Sequence, residues 1–131
     1  MRLGVSPEAF GAPRPEFNGL RIKVPGQPEI YLVEEGYRRW IPNPTTYNNL
    51  IRDWNGIRED AGVADIPRGV DIAPGAVLAK GSTAPSYFVD TLVKRWITSP
   101  STMDKYYFNW NRIVVVPDIL LQNIPSGYSI S

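Results

Sequence analysis

A chain of 131 residues, 43% hydrophobic and 21% charged, has room for one ordinary domain or two very small ones, and thirteen prolines with eleven glycines argue for short elements and frequent turns. It has no cysteine and no histidine, which excludes disulfides and thiolate metal sites and removes the commonest general base. Fourteen basic residues against thirteen acidic ones, well mixed, leave a net charge of +1 and no field suited to gripping nucleic acid.

No apolar run approaches the roughly 18–20 residues that span a bilayer. Residues 1–11 lack the apolar core of a signal peptide. The compartment therefore stays open between cytosolic, exported by another route, and a mature or truncated form. Residues 1–19 read as a Pro/Gly-rich leader, either draped or disordered, or an arm that docks on a neighbour through Phe10 and Phe17.

A first repeat unit spans 20–75. Leu20 to Val24 alternates apolar and basic residues, which predicts a half-buried strand. Pro25 to Pro28 is a turn. Ile30 to Ile41 predicts a β-hairpin reversing at Glu35-Gly36. Asn43-Pro44 predicts a helix start, with Asn43 as N-cap and Pro44 in the first turn, and a short helix over 45–52. The turn from Trp54 to Ile57 is expected to plant its indole in the core. Glu59 to Asp65 reads as irregular, and Ile66-Pro67-Arg68-Gly69 closes the unit.

A second unit, 76–131, retraces this plan. It has a strand at 77–80, a hairpin at 86–97 and a cap at Ser99-Pro100. Tyr31, Val33, Arg39, Trp40, Ile41 and Pro44 recur 56 positions later as Tyr87, Val89, Arg95, Trp96, Ile97 and Pro100. The offset then slips by two, so that Ile66-Pro67-Arg68-Gly69 falls on Ile124-Pro125-Ser126-Gly127. An apolar strand at 112–116, a helical turn from Pro117 to Leu121 and a last strand at 128–130 complete it. The predicted class is α+β, strand-dominated: two tandem repeats of about 55 residues packed as one pseudo-symmetric body, because a lone core of that size is marginal. An all-β fold with helical turns is the alternative.

The pattern YLVxxGxxRWIPxPxxY followed by IPxG resembles a tandem repeat of bacterial secreted and cell-surface proteins. The resemblance covers 20–130 and implies an extracellular or cell-surface setting; it implies no reaction. The chain departs from the pattern at Thr91-Leu92, where the reversal glycine is expected.

Within the third strand of each hairpin, side chains alternate between faces. Arg39 and Arg95 sit between apolar residues, and Glu34 and Asp90 across the turn are their natural ion-pair partners. Trp40 and Trp96, each beside a cation (Arg38, Lys94) and near Tyr31 and Tyr87, read either as core indoles under cationic stems or as sugar-stacking platforms. Trp54 and Trp110 read as core. The Tyr106-Tyr107-Phe108 cluster reads as half-buried packing or a partner patch. Glu59, Asp60, Asp65 and Asp71 lack the dense spacing of a calcium loop. No Gly-rich phosphate loop is present, so neither metal nor cofactor is expected, and no paired-carboxylate spacing suggests an enzyme. The expected function is non-catalytic, lectin-like binding of a glycan or cell-wall polymer through Trp40, Trp96, Arg38, Lys94, Tyr31 and Tyr87. The alternative is a self-assembling structural protein.

Overall fold

The computed structural model describes residues 12–131, so the first part of the leader, with Phe10, lies outside the described residues. The chain is α+β and strand-dominated, with two four-stranded sheets and three short helices. It divides into two units. The first takes residues 1–42 and 54–71, and the second takes residues 43–53 and 72–131.

The first unit holds β1 (Arg21–Lys23), β2 (Tyr31–Glu34), β3 (Tyr37–Trp40) and β4 (Arg58–Glu59), in the spatial order β3-β2-β1-β4. β1 runs antiparallel to β2 and parallel to β4. Register places Ile22, Tyr31 and Trp40 side by side on one face. That face is the core: Ile22, Tyr31, Val33, Val63 and Ile66 are buried there, with Phe17, Leu20, Val24 and Trp40 packed against them. Val63 comes from the 3₁₀ turn Ala61–Asp65, which Asp60 caps by accepting from Gly62 N, and Ile66 ends that turn. The end of the leader drapes over this sheet, where Arg14 N donates to Gly36 O and Gly19 N to Val33 O.

The second unit repeats the topology with β5 (Val77–Lys80), β6 (Ser86–Asp90), β7 (Val93–Ile97) and β8 (Val114–Val115), in the order β7-β6-β5-β8. Its helices are α1 (Pro44–Leu50), α2 (Pro100–Lys105) and α3 (Asp118–Gln122). α1 and α2 start as the sequence predicts: the Asn43 side chain accepts from Thr46 N and the Ser99 side chain from Thr102 N. The core here lies on the face carrying Leu78 and Phe88. Phe88 meets Phe108 edge-on at 5.7 Å, and Tyr106 stacks on Phe108 at 5.4 Å. Tyr47, Leu50 and Ile51 complete it, with Ile51 bridged to Phe108 through the main chain. Thus α1, written in the first repeat, folds as part of the second unit. Tyr106 and Phe108 are core, while Tyr107 is half-buried and donates its hydroxyl to Asp53 Oδ2.

Both hairpins close with two residues at positive φ, Glu35 (55°) and Gly36 (81°), then Thr91 (55°) and Leu92 (61°). These are type I′ turns, which suit strand twist and favour glycine. The departure at Thr91-Leu92 therefore changes no geometry and only adds strain. Leucine in the left-handed region costs about 1–2 kcal/mol, and Leu92 is 82% exposed, so its side chain returns little. Leu92→Gly should raise stability by about 0.5–1 kcal/mol, after subtracting glycine's greater unfolded-state entropy. Urea unfolding with an unchanged slope and a higher midpoint is the expected readout.

Sequence and structure differ at several elements. Of the stretch read as irregular, Glu59 to Asp65, Glu59 belongs to strand β4 and Ala61–Asp65 is the 3₁₀ turn. The apolar run 112–116 yields only β8, an exposed edge. The expected last strand, 128–130, contributes only one isolated bridge, Ile97 with Ile130. Among the described residues no helix is long and apolar enough to cross a membrane.

Candidate functional site

The repeated basic pairs act first on the chain itself. Arg38 Nε donates to Ile66 O at 2.8 Å, and Lys94 Nζ donates to Ile124 O at 2.9 Å and to Leu121 O at 2.7 Å. Arg39 Nε reaches Val70 O and Arg95 Nε reaches Tyr128 O, both at 2.8 Å. Main-chain bonds lock the same segments to the edge strands: Arg38 N to Pro67 O and Gly69 N to Arg38 O, repeated as Lys94 N to Pro125 O and Gly127 N to Lys94 O. The glycine of Ile-Pro-x-Gly is needed for close approach. A Cβ on Gly69 would lie 2.8 Å from Tyr37 Cβ, and one on Gly127 would lie 2.8 Å from Val93 Cγ1. The two repeated motifs, a basic pair and Ile-Pro-x-Gly, are thus the halves of one latch.

Arg38 also lies over the Tyr31 ring at 4.8 Å, and Lys94 Nζ over Tyr87 at 5.7 Å. The cations therefore sit on the tyrosines, one strand over from the indoles. Tyr31 is buried and Tyr87 half-buried. Arg39 Nη1 donates to Glu34 Oε1 at 2.9 Å. In the second unit, Asp90 Oδ1 accepts from Ala73 N and from the Thr91 hydroxyl, both at 3.0 Å.

The indoles are unequal. Trp40 is half-buried against the first unit's core, whereas Trp96 is 47% exposed. Trp54 and Trp110, expected in the core, are both 46% exposed. Polar residues follow each of them, Asn55 and Asn111, and this was the available sign that they face outward.

Trp96 and Trp110 line one groove of about 300 Å³ with Pro85, Pro100 and Met103, and with Ser86, Thr98 and Ser99 among its polar members. Local structure builds it in steps. Alternation along β7 buries Ile97 and turns Trp96 outward. Ser99 and Pro100 form the groove wall because they begin α2. Trp110 begins the 3₁₀ turn Trp110–Arg112, capped by Asn109 Oδ1 accepting from Asn111 N. The Trp110 indole N–H points at Asp104 Oδ1, 3.4 Å away, and Arg52 grips the same carboxylate oxygen. Hydrogen bonds from Arg52, then from Trp110, hold the Asp104 carboxyl below its ordinary range. Asp104 therefore stays ionised and keeps the second ring in place.

The arrangement offers two aromatic faces, proline edges and hydroxyls. It suits stacking on a ring with polar substituents. Comparison with protein-family models, with curated proteins and with solved structures finds no match to the chain.

Proposed function

We propose that this protein is a non-catalytic binding module for carbohydrate, of the kind found in cell-envelope polymers, and that the second unit's groove takes the sugar. The observation that carries this reading is the pair of half-exposed indoles, Trp96 and Trp110, flanking one apolar groove with hydroxyls among its lining. An aromatic face covers the C–H face of a pyranose, while neighbouring hydroxyls exchange hydrogen bonds with the sugar's own. The Trp110 ring, fixed by the Asn109 cap and by Asp104, loses little freedom on binding, which favours affinity. Tyr87 and Lys94 border Trp96 on the same sheet face and extend the platform. Trp40, packed on its own core, serves chiefly as structure in this reading, so one site per chain is expected.

A glycan and cell-wall polysaccharide array, followed by calorimetry on the strongest binder, tests this. Trp96→Ala and Trp110→Ala should each weaken binding at least tenfold, while Trp54→Ala leaves it unchanged and all three variants keep the parent's circular dichroism. Equal binding by parent and the two groove variants would remove the groove from the mechanism, and no binding to any polysaccharide would remove the function.

A further inference from the structure

Equivalent edge strands of the two units differ in character. In the first unit the edge is β4, Arg58-Glu59, both exposed and charged. In the second it is β8, Val114-Val115, at 47% and 71% exposure, and Ile119 and Leu120 in the next helix, α3, are 65% and 56% exposed. Charged edges resist pairing with another sheet, whereas an uncharged β-branched edge invites it.

Hydrogen bonding identifies which residue would pair. Val116 N donates to Lys80 O. In a parallel ladder this turns Val114 and Val116 toward β5 and sends the N–H and C=O of Val115 outward. Those two groups take no partner among the described residues. A residue with both groups facing out is what the centre of a two-fold antiparallel pairing requires: Val115 exchanges two N–H···O bonds with Val115 of a second copy. That register sets Val114 opposite Val116, an uncharged β-branched pair on either side of the axis. In the first unit Asp60 N makes the same bond to Lys23 O, which turns Glu59 outward in the place of Val115. The same operation there would set Glu59 against Glu59, and like charges directly opposite are unfavourable.

From this self-complementarity we infer that the protein forms a homodimer through β8, with the two-fold axis at Val115 and with Ile119 and Leu120 supplying apolar contact beside the ladder. The inference is independent of the glycan reading. Interfaces of stable dimers need more area than a two-residue ladder, so the association is a weak one whose extent rises with concentration.

Sedimentation velocity of the full chain over a range of concentrations is the experiment, with two variants. Val115→Glu copies the first unit's edge onto the second. It should weaken dimerisation at least tenfold without altering the melting curve, since Val115 is exposed. Val115→Cys introduces the only cysteine into a cysteine-free chain. At the axis its Cα atoms would be about 5.5 Å apart, within the roughly 4.4–6.8 Å that a disulfide spans. Mild oxidation should give covalent dimer in high yield, whereas Leu92→Cys, exposed but away from the edge, should not. A parent that stays monomeric at every concentration, or a dimer indifferent to Val115→Glu, overturns the inference. If Val115→Glu misfolds, the yield of Val115→Cys dimer relative to Leu92→Cys decides alone.

Discussion

Arg39→Met is expected to destabilise the protein by about 3–5 kcal/mol, the usual penalty for removing one partner of a buried ion pair. The Glu34 side chain is 3% exposed and that of Arg39 is 13% exposed, with 2.9 Å between Nη1 and Oε1. Both charges are thus largely out of water, and the carboxylate is the deeper of the two. Removing the guanidinium takes the ion pair from that buried carboxylate and also frees Val70 O, which Arg39 Nε holds. The intact pair need not be worth as much as its disruption costs, because desolvating two charges offsets most of their attraction. The double variant Glu34→Gln with Arg39→Met should therefore recover much of the loss. A double-mutant cycle by urea denaturation separates the two: additive costs would mean that the residues do not act as a pair.

Phe108→Ala should cost a similar amount, about 3–5 kcal/mol, by a different mechanism. The ring is fully buried, edge-on to Phe88 and stacked on Tyr106. Truncation loses the transfer free energy of the ring and leaves a cavity among neighbours that are themselves fixed. The Phe108 main chain is tied in place, with N donating to Met103 O and the carbonyl accepting from Arg52 Nε. The site therefore cannot close around the void by moving the backbone. Phe108→Leu fills most of the space and should cost about 1.5 kcal/mol. Thermal melts of the two variants check the order, and equal effects from Ala and Leu would mean that ring contacts, rather than volume, set the cost.

Much of the fold was legible because its signals are local. Hairpins at Ile30 to Ile41 and Ser86 to Ile97 show as alternating runs joined by two-residue reversals. The helix starts show as a capping residue followed by proline. The slip in the repeat also has a local cause: between the edge strand and Ile-Pro-x-Gly, the second unit inserts two residues and forms α3 where the first unit has a 3₁₀ turn. The Arg39–Glu34 pairing was legible too, since strand alternation puts both on one face.

What escaped the sequence depends on distant partners. Nothing near Arg38 or Lys94 shows that each cation is directed at a carbonyl 28 or 30 residues further on. A cation beside an aromatic residue looks the same whether it covers a neighbouring tyrosine or frames a ligand. The exposure of Trp110 was hidden for a similar reason. Hydrophobicity places an indole inside by default, and only the Asn109 cap and the reach of Asp104 from α2 turn it outward. The apolar run 112–116 read simply as a strand because composition does not distinguish an interior strand from a bare edge.

Residues 43–53 belong to the second unit although they are written within the first repeat. The duplicated segment and the folded unit are therefore offset, and the two units are interleaved along the chain. Cutting the backbone between Asp71 and Ile72 leaves the first unit's residues together in fragment 1–71 and divides the second unit between the two fragments. The fragment 72–131 lacks α1 and the strand bridge that Ile51 gives Phe108, and the fragment 1–71 carries α1 without the β5 it packs on. Only mixing the two fragments restores a full set of parts to the second unit, so its folding would require the pair to complement each other.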